Sequence, residues 1–156
     1  MSEIKTFEDL ECWQYGRELT KLVYTCTASV VVARDYGFAD QMRRAAISIM
    51  NNIAEGFERD TNTDFVRFLF IAKASAGEVR SMAYAGLDLK YFGEQQFNDI
   101  TALSIRCSKT IWGLIKSLNK KSGWRAKISI SILFLSHPFF CSDLPGFNPL
   151  FSVFTL

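Results

Sequence analysis

The chain has 156 residues, enough for one domain with its own core. At 49% hydrophobic and 22% charged it is excluded from the disordered class. A formal net charge of +2 excludes a strong global field toward nucleic acid or membranes, so any polyanion site must be a local patch.

Charge is unevenly spread. Residues 1–125 hold nearly all of it, whereas residues 126–156 carry only Lys127 and Asp143, with all three prolines and the only histidine. We therefore read two parts, a helical domain over 1–125 and an apolar Pro/Phe-rich tail over 126–156. Cys12, Cys26, Cys107 and Cys141 are scattered without a C-x-x-C pair, and Met1 to Lys5 lack the basic-then-apolar design of a signal peptide. The expected compartment is the cytoplasm, with the thiols acting as small hydrophobes.

The first helix opens at Thr6-Phe7-Glu8-Asp9, a T-x-x-D capping arrangement, and Leu10, Trp13, Leu19, Leu22, Val23, Cys26 and Val30 follow at helical spacing. Val30-Val31-Val32 is β-branched and frays that pattern, and Arg34 to Gly37 read as a turn. In the second helix Phe38, Met42, Ala45, Ala46, Ile49, Ile53 and Phe57 form one apolar stripe. Arg44, Ser48, Asn51, Asn52, Glu55, Glu58 and Arg59 collect opposite it, facing away from the bundle's own core. Thr61-Asn62-Thr63-Asp64 starts the third helix, whose Phe65, Leu69, Ala72, Ala76, Val79, Ala83 and Gly86 make a seven-residue repeat rich in small residues. A neighbouring helix can approach that stripe closely. Gly93 reads as a helix stop. The fourth helix presents Ile100, Ser104, Cys107, Ile111, Leu114 and Leu118 on one face and ends in the basic run from Lys116 to Lys121, which suits its dipole.

Four amphipathic segments with short connections predict an all-α fold, an antiparallel up-down-up-down four-helix bundle with an irregular apolar C-terminal tail. The tail alternates from Ile128 to Ile132 and is cut by His137-Pro138; its apolar run is about half the roughly 20 residues a membrane span needs. It packs on the bundle or a partner, or stays poorly ordered, and a membrane anchor is the least favoured outcome.

Chemistry is sparse. His137 sits beside a proline with no ligand-spaced Cys or carboxylate, and P-loop, G-x-G-x-x-G, H-E-x-x-H and nucleophile-elbow motifs are absent from the sequence. No catalytic residue, metal ligand or cofactor is expected, nor a small-molecule substrate. Phe7, Trp13, Tyr15 and Tyr24 could be arranged as a base-stacking platform, but at helical spacing they read as packing.

The polar stripe, with Arg43 and Arg44 at its start, admits three readings: a solvated face, a subunit interface, or phosphate recognition. In the second, Asn51, Asn52 and Glu55 bond to a neighbouring copy, and Gly56 permits close approach of another backbone. In the third, Arg43, Arg44, Arg59 and Arg67 hold RNA phosphates against the repulsion of Glu55, Glu58 and Asp60.

Several segments carry a resemblance. They are Phe7 to Leu10 with Trp13-Gln14, Arg17 to Leu19, Asp35 to Phe38, Gln41 to Ala46, Ser48 to Phe57, and Phe65 to Leu69 with Ile71-Ala72. In that order they resemble the bacterial 23S rRNA intervening-sequence proteins from about Phe7 to Trp124. The resemblance implies a four-helix bundle assembled as a homo-oligomer, most often a ring of five, with a non-catalytic, nucleic-acid-associated role. Arg43, Arg44, Asn52, Glu55 and Gly56 occupy its signature positions. Met50 stands where that family usually has proline, so a proline kink is not carried over. The expectation is a cytoplasmic, non-enzymatic oligomer whose partners are itself and RNA or a nucleic-acid-handling protein. The alternatives are an RNA-processing enzyme, or a membrane-surface protein held by the tail.

Overall fold

The computed structural model describes residues 4–121, and the tail 126–156, with His137, Cys141 and the ending at Trp124, lies outside the described residues. Within them the structure is all helical: α1 (Glu11–Thr27), α2 (Val30–Arg34), α3 (Tyr36–Phe57), α4 (Asn62–Asp88) and α5 (Glu94–Lys121). A 3-10 turn, Phe7–Asp9, precedes α1. The cap predicted at Thr6 closes this turn rather than α1: the Asp9 carboxylate accepts from the backbone N–H of Lys5 at 2.9 Å and of Thr6 at 3.0 Å. These bonds favour the ionised form and hold the Asp9 carboxyl below its usual range. Extended Leu10 then separates turn from helix.

The four long helices form an antiparallel bundle, and cross-helix pairs fix the direction of each. Thr20 reaches Ala46 while Arg43 reaches Thr27, so α1 and α3 run opposite ways. Ser48 meets Ser75 and Gln41 meets Glu78, which sets α3 against α4. Tyr84 packs on Phe97 and Phe70 on Trp112, setting α4 against α5. Cys107 faces the Cys12 carbonyl and Gln96 faces Cys26, closing α5 onto α1. This is the up-down-up-down order.

Each apolar stripe finds the centre. All seven members of the α4 repeat are buried, as are Met42, Ala45, Ala46, Ile49 and Ile53 of α3. Small residues let the helices close up. A β-carbon on Gly86 would collide with the Phe92 ring, which is wedged between α4 and Phe38. One on Gly56 would lie 2.7 Å from Phe68 Cβ and 2.8 Å from the Phe65 ring.

Two junctions differ from the sequence reading. Val30 to Arg34, expected to fray into a turn, form a separate short helix whose N-cap is Ser29. It buries Val32 but leaves Val30 exposed, off the α1 stripe. Only Asp35 is left to turn the chain; its carboxylate caps α3 through Phe38 N–H at 3.0 Å and accepts from the Tyr91 hydroxyl at 3.0 Å. Gly93 does not stop α4. The stop is Lys90, at φ 58°, with Lys90 N–H bonded to Leu87 O and Tyr91 N–H to Gly86 O, a Schellman closure built without glycine. Gly93 instead begins α5, its N–H donating to the Gln96 side chain at 3.1 Å.

Two outcomes follow from this packing. Gly56→Ala should destabilise the fold by about 1–3 kcal/mol, because the overpacking at a rigid β-carbon exceeds the helix-propensity gain of about 1 kcal/mol. Lys90→Gly should stabilise it by about 1 kcal/mol by relieving the left-handed backbone. Urea unfolding measures both, and a stabilised Gly56→Ala would contradict the close approach.

Burial pushes the Cys12 thiol up to about 11 and Cys107 up to about 12, and raises Cys26 as well. A raised thiol pKa in the folded state gives stability that is complete below the unfolded value of 9.0 and falls away as pH rises above it. At about pH 8 these three thiols should resist iodoacetamide in the native chain and label on denaturation, read by peptide mass mapping. Rapid native labelling of Cys12 or Cys107 would contradict the burial.

Candidate functional site

The polar stripe of α3 divides when it is folded. Asn51 and Glu55 are exposed, but Ser48 and Asn52 are half-buried at the seam with α4. The Ser48 and Ser75 hydroxyls lie 2.9 Å apart across that seam, and Ser75 also donates to Ile71 O at 3.1 Å. Asn52 Nδ2 donates to Ser48 O at 2.7 Å and to Ser48 Oγ at 3.0 Å. The neighbouring asparagines thus have different roles. Asn52 belongs to an inter-helix hydrogen-bond chain, and Asn51 faces outward.

Gly56 is buried against Phe65 and Phe68 of its own α4, so its missing side chain serves packing within one chain. Of the four arginines only Arg59 and Arg67 come together, lining one shallow cleft with Asp64, Phe68 and Ile71. Arg43 turns toward α1, where Nε donates to Thr27 Oγ1 at 2.8 Å and Nη2 to Thr27 O at 2.9 Å, with the guanidinium over the Tyr24 ring. It closes the C-terminal end of α1, where carbonyls lack helical partners. Arg44 pairs with Asp40 at 3.2 Å and with Gln41. Arg59 pairs with Glu55 over the Phe68 ring, and Arg67 with Asp64 at 3.6 Å. These last three pairs are exposed helix-surface pairs, each worth well under about 1 kcal/mol.

The centre of the seam is uncharged. From Ala45 to Ala54, α3 carries no charged residue. Over that length only Asn51 is exposed; Ser48 and Asn52 are half-buried at the seam beside exposed Ile71 of α4, and Ile47, Met50 and Ala54 are partly open as well. Asp40–Arg44 bounds it at one end and Glu55–Arg59 at the other.

Three of the four early aromatics pack as expected, whereas Tyr24 is exposed and lies under the Arg43 guanidinium. Phe7 meets Trp13 edge to face, Tyr15 lies under Arg106, and all three rings lean on the core. Among the described residues no three His, Cys, Asp or Glu side chains converge as a metal site, and no helix is long and apolar enough to cross a membrane.

Comparison with known proteins supplies the relationship. The family model of the 23S rRNA-intervening sequence protein matches residues 8–113. A crystal structure of a protein of unknown function from the S23 ribosomal protein family of Bacteroides thetaiotaomicron superposes with a TM-score of 0.62. It is 22% identical, and the match covers 67% of this chain and 98% of that one. That likeness concerns the fold. No curated protein matches the chain. The match over residues 8–113 takes in α1 to α4 and most of α5, and the chain belongs to the 23S rRNA-intervening sequence protein family.

Proposed function

We propose that the protein is a non-catalytic, cytoplasmic assembly unit whose copies meet across the outer face of α3 and α4, and whose oligomer binds RNA or a nucleic-acid-handling partner. The uncharged run from Ala45 to Ala54, rimmed by the Asp40–Arg44 and Glu55–Arg59 pairs, carries this reading. Protein interfaces are depleted of charge at the centre and polar at the rim. A solvated helix face of the same length would ordinarily hold lysine or glutamate. Asn51 offers amide donors and an acceptor to a neighbouring copy, in the manner of polar groups that fix register. Five copies is the number that the family resemblance suggests.

The nucleic-acid part of the proposal rests on the family's name and on exposed arginines. Arg44, Arg59 and Arg67 are held only by weak surface pairs, which a phosphate could replace. Against catalysis, the buried Cys12 and Cys107 thiols are held far above the range of a reactive thiolate.

Light scattering on the full chain tests the assembly. The native particle should weigh about five times the 17.7 kDa chain. Asn51→Lys, at a position exposed in the single chain, should reduce it toward one chain mass while leaving helical circular dichroism unchanged. A monomeric native protein, or an Asn51→Lys particle of full mass, would contradict the proposal.

A further inference from the structure

The opposite flank of α4 carries a different surface. Residues 65–77 of α4 and 100–121 of α5 contain no acidic residue, although the chain as a whole is almost neutral. The antiparallel register sets these two stretches side by side, with Phe70 packed edge to face on Trp112 at 6.3 Å. Both rings stay open to solvent, Phe70 at 48% and Trp112 at 43%. Lys73 Nζ lies 6.0 Å from the Trp112 ring centroid. Lys73, Ser108, Lys109 and Trp112 line a shallow cleft of about 270 Å³. Lys109, Trp112 and Lys116 share one face of α5 by helical spacing. Among the described residues none of the three lysines has an ion-pair partner, unlike Arg44, Arg59 and Arg67.

We infer that this α4–α5 cleft is a docking site for single-stranded nucleic acid. Trp112 and Phe70 would take an unpaired base, and Lys73, Lys109 and Lys116 would take the flanking phosphates. The inference deepens the nucleic-acid part of the proposed function and rests on it. Charge complementarity names the occupant. Cations on two acid-free stretches attract a polyanion, and exposed aromatic rings among them add sequence-tolerant stacking. A cleft this small suits one flat ring rather than a whole cofactor. An anionic bilayer is the poorer fit. Membrane-surface helices present a broad apolar face, whereas the apolar faces of α4 and α5 are turned into the core. Duplex nucleic acid keeps its bases stacked and would leave the rings unused.

The test is fluorescence anisotropy of the full chain with a labelled oligouridylate of about 15 nucleotides. Circular dichroism and light scattering confirm that each variant keeps its fold and mass. Trp112→Ala should weaken binding about tenfold, and the double variant Lys73→Gln/Lys109→Gln should flatten the log–log salt dependence by about 1.4. Lys21→Gln, at an exposed position of α1 outside the cleft, should bind as the native chain does. Salt-dependent binding that all these α4–α5 variants leave unchanged would overturn the cleft while the nucleic-acid reading stands. No binding by the native chain would overturn both. Flotation with phosphatidylserine vesicles that depends on Trp112, without oligouridylate binding, would reassign the cleft to membranes and overturn the inference.

Discussion

The small inner face of α4 sets the spacing of the bundle. Ala72, Ala76, Ala83 and Gly86 alternate with Phe65, Leu69 and Val79, and Gly56 answers from α3. Where both sides of a seam are small, backbones close up and short polar side chains can reach across. Ser48 and Ser75 do so at 2.9 Å, and Asn52 extends the chain of hydrogen bonds from them. Longer side chains at those positions would hold the helices apart. A half-buried hydroxyl without a partner costs more than its bond gains, so the network is stable only if the spacing holds.

The same spacing decides what reaches the surface. An inner stripe this narrow leaves α4 with bulky residues on its flanks, and Phe70, Ile71 and Tyr84 remain exposed. On the α3 side Ile71 borders the uncharged seam proposed for assembly. On the α5 side Phe70 joins Trp112 beside Lys73 and Lys109. One helix therefore divides two surfaces of different chemistry, and an overall charge of +2 conceals both.

The fold was largely legible because its signals are local. Seven α4 residues repeating by four and three required one buried stripe, and Thr61 with Asp64 marked the start of that helix. The junctions were less so. Gly93 follows two aromatics like a helix stop, yet Lys90 accepts the left-handed turn because Phe92 must fold back over Gly86. The site was legible only as a stripe. A helical projection puts Ser48, Asn51 and Asn52 together, but Ser75 decides which of them is drawn into the seam, and it lies on another helix. Gly56 read as an opening for a second copy until Phe65 and Phe68 filled it. Arg43 stood beside Arg44 in sequence, and Thr27 drew it to the far side. The α4–α5 cleft left only two acid-free stretches along the chain, since Phe70 and Trp112 meet only through the register of two long helices.

The central claim is that α3 and α4 approach closely enough for their hydroxyls to bond. A double-mutant cycle in urea on Ser48→Ala, Ser75→Ala and the pair measures that contact alone. A coupling of about 1 kcal/mol between the two sites is expected. Strictly additive losses would contradict it, because they would mean that the two side chains do not meet.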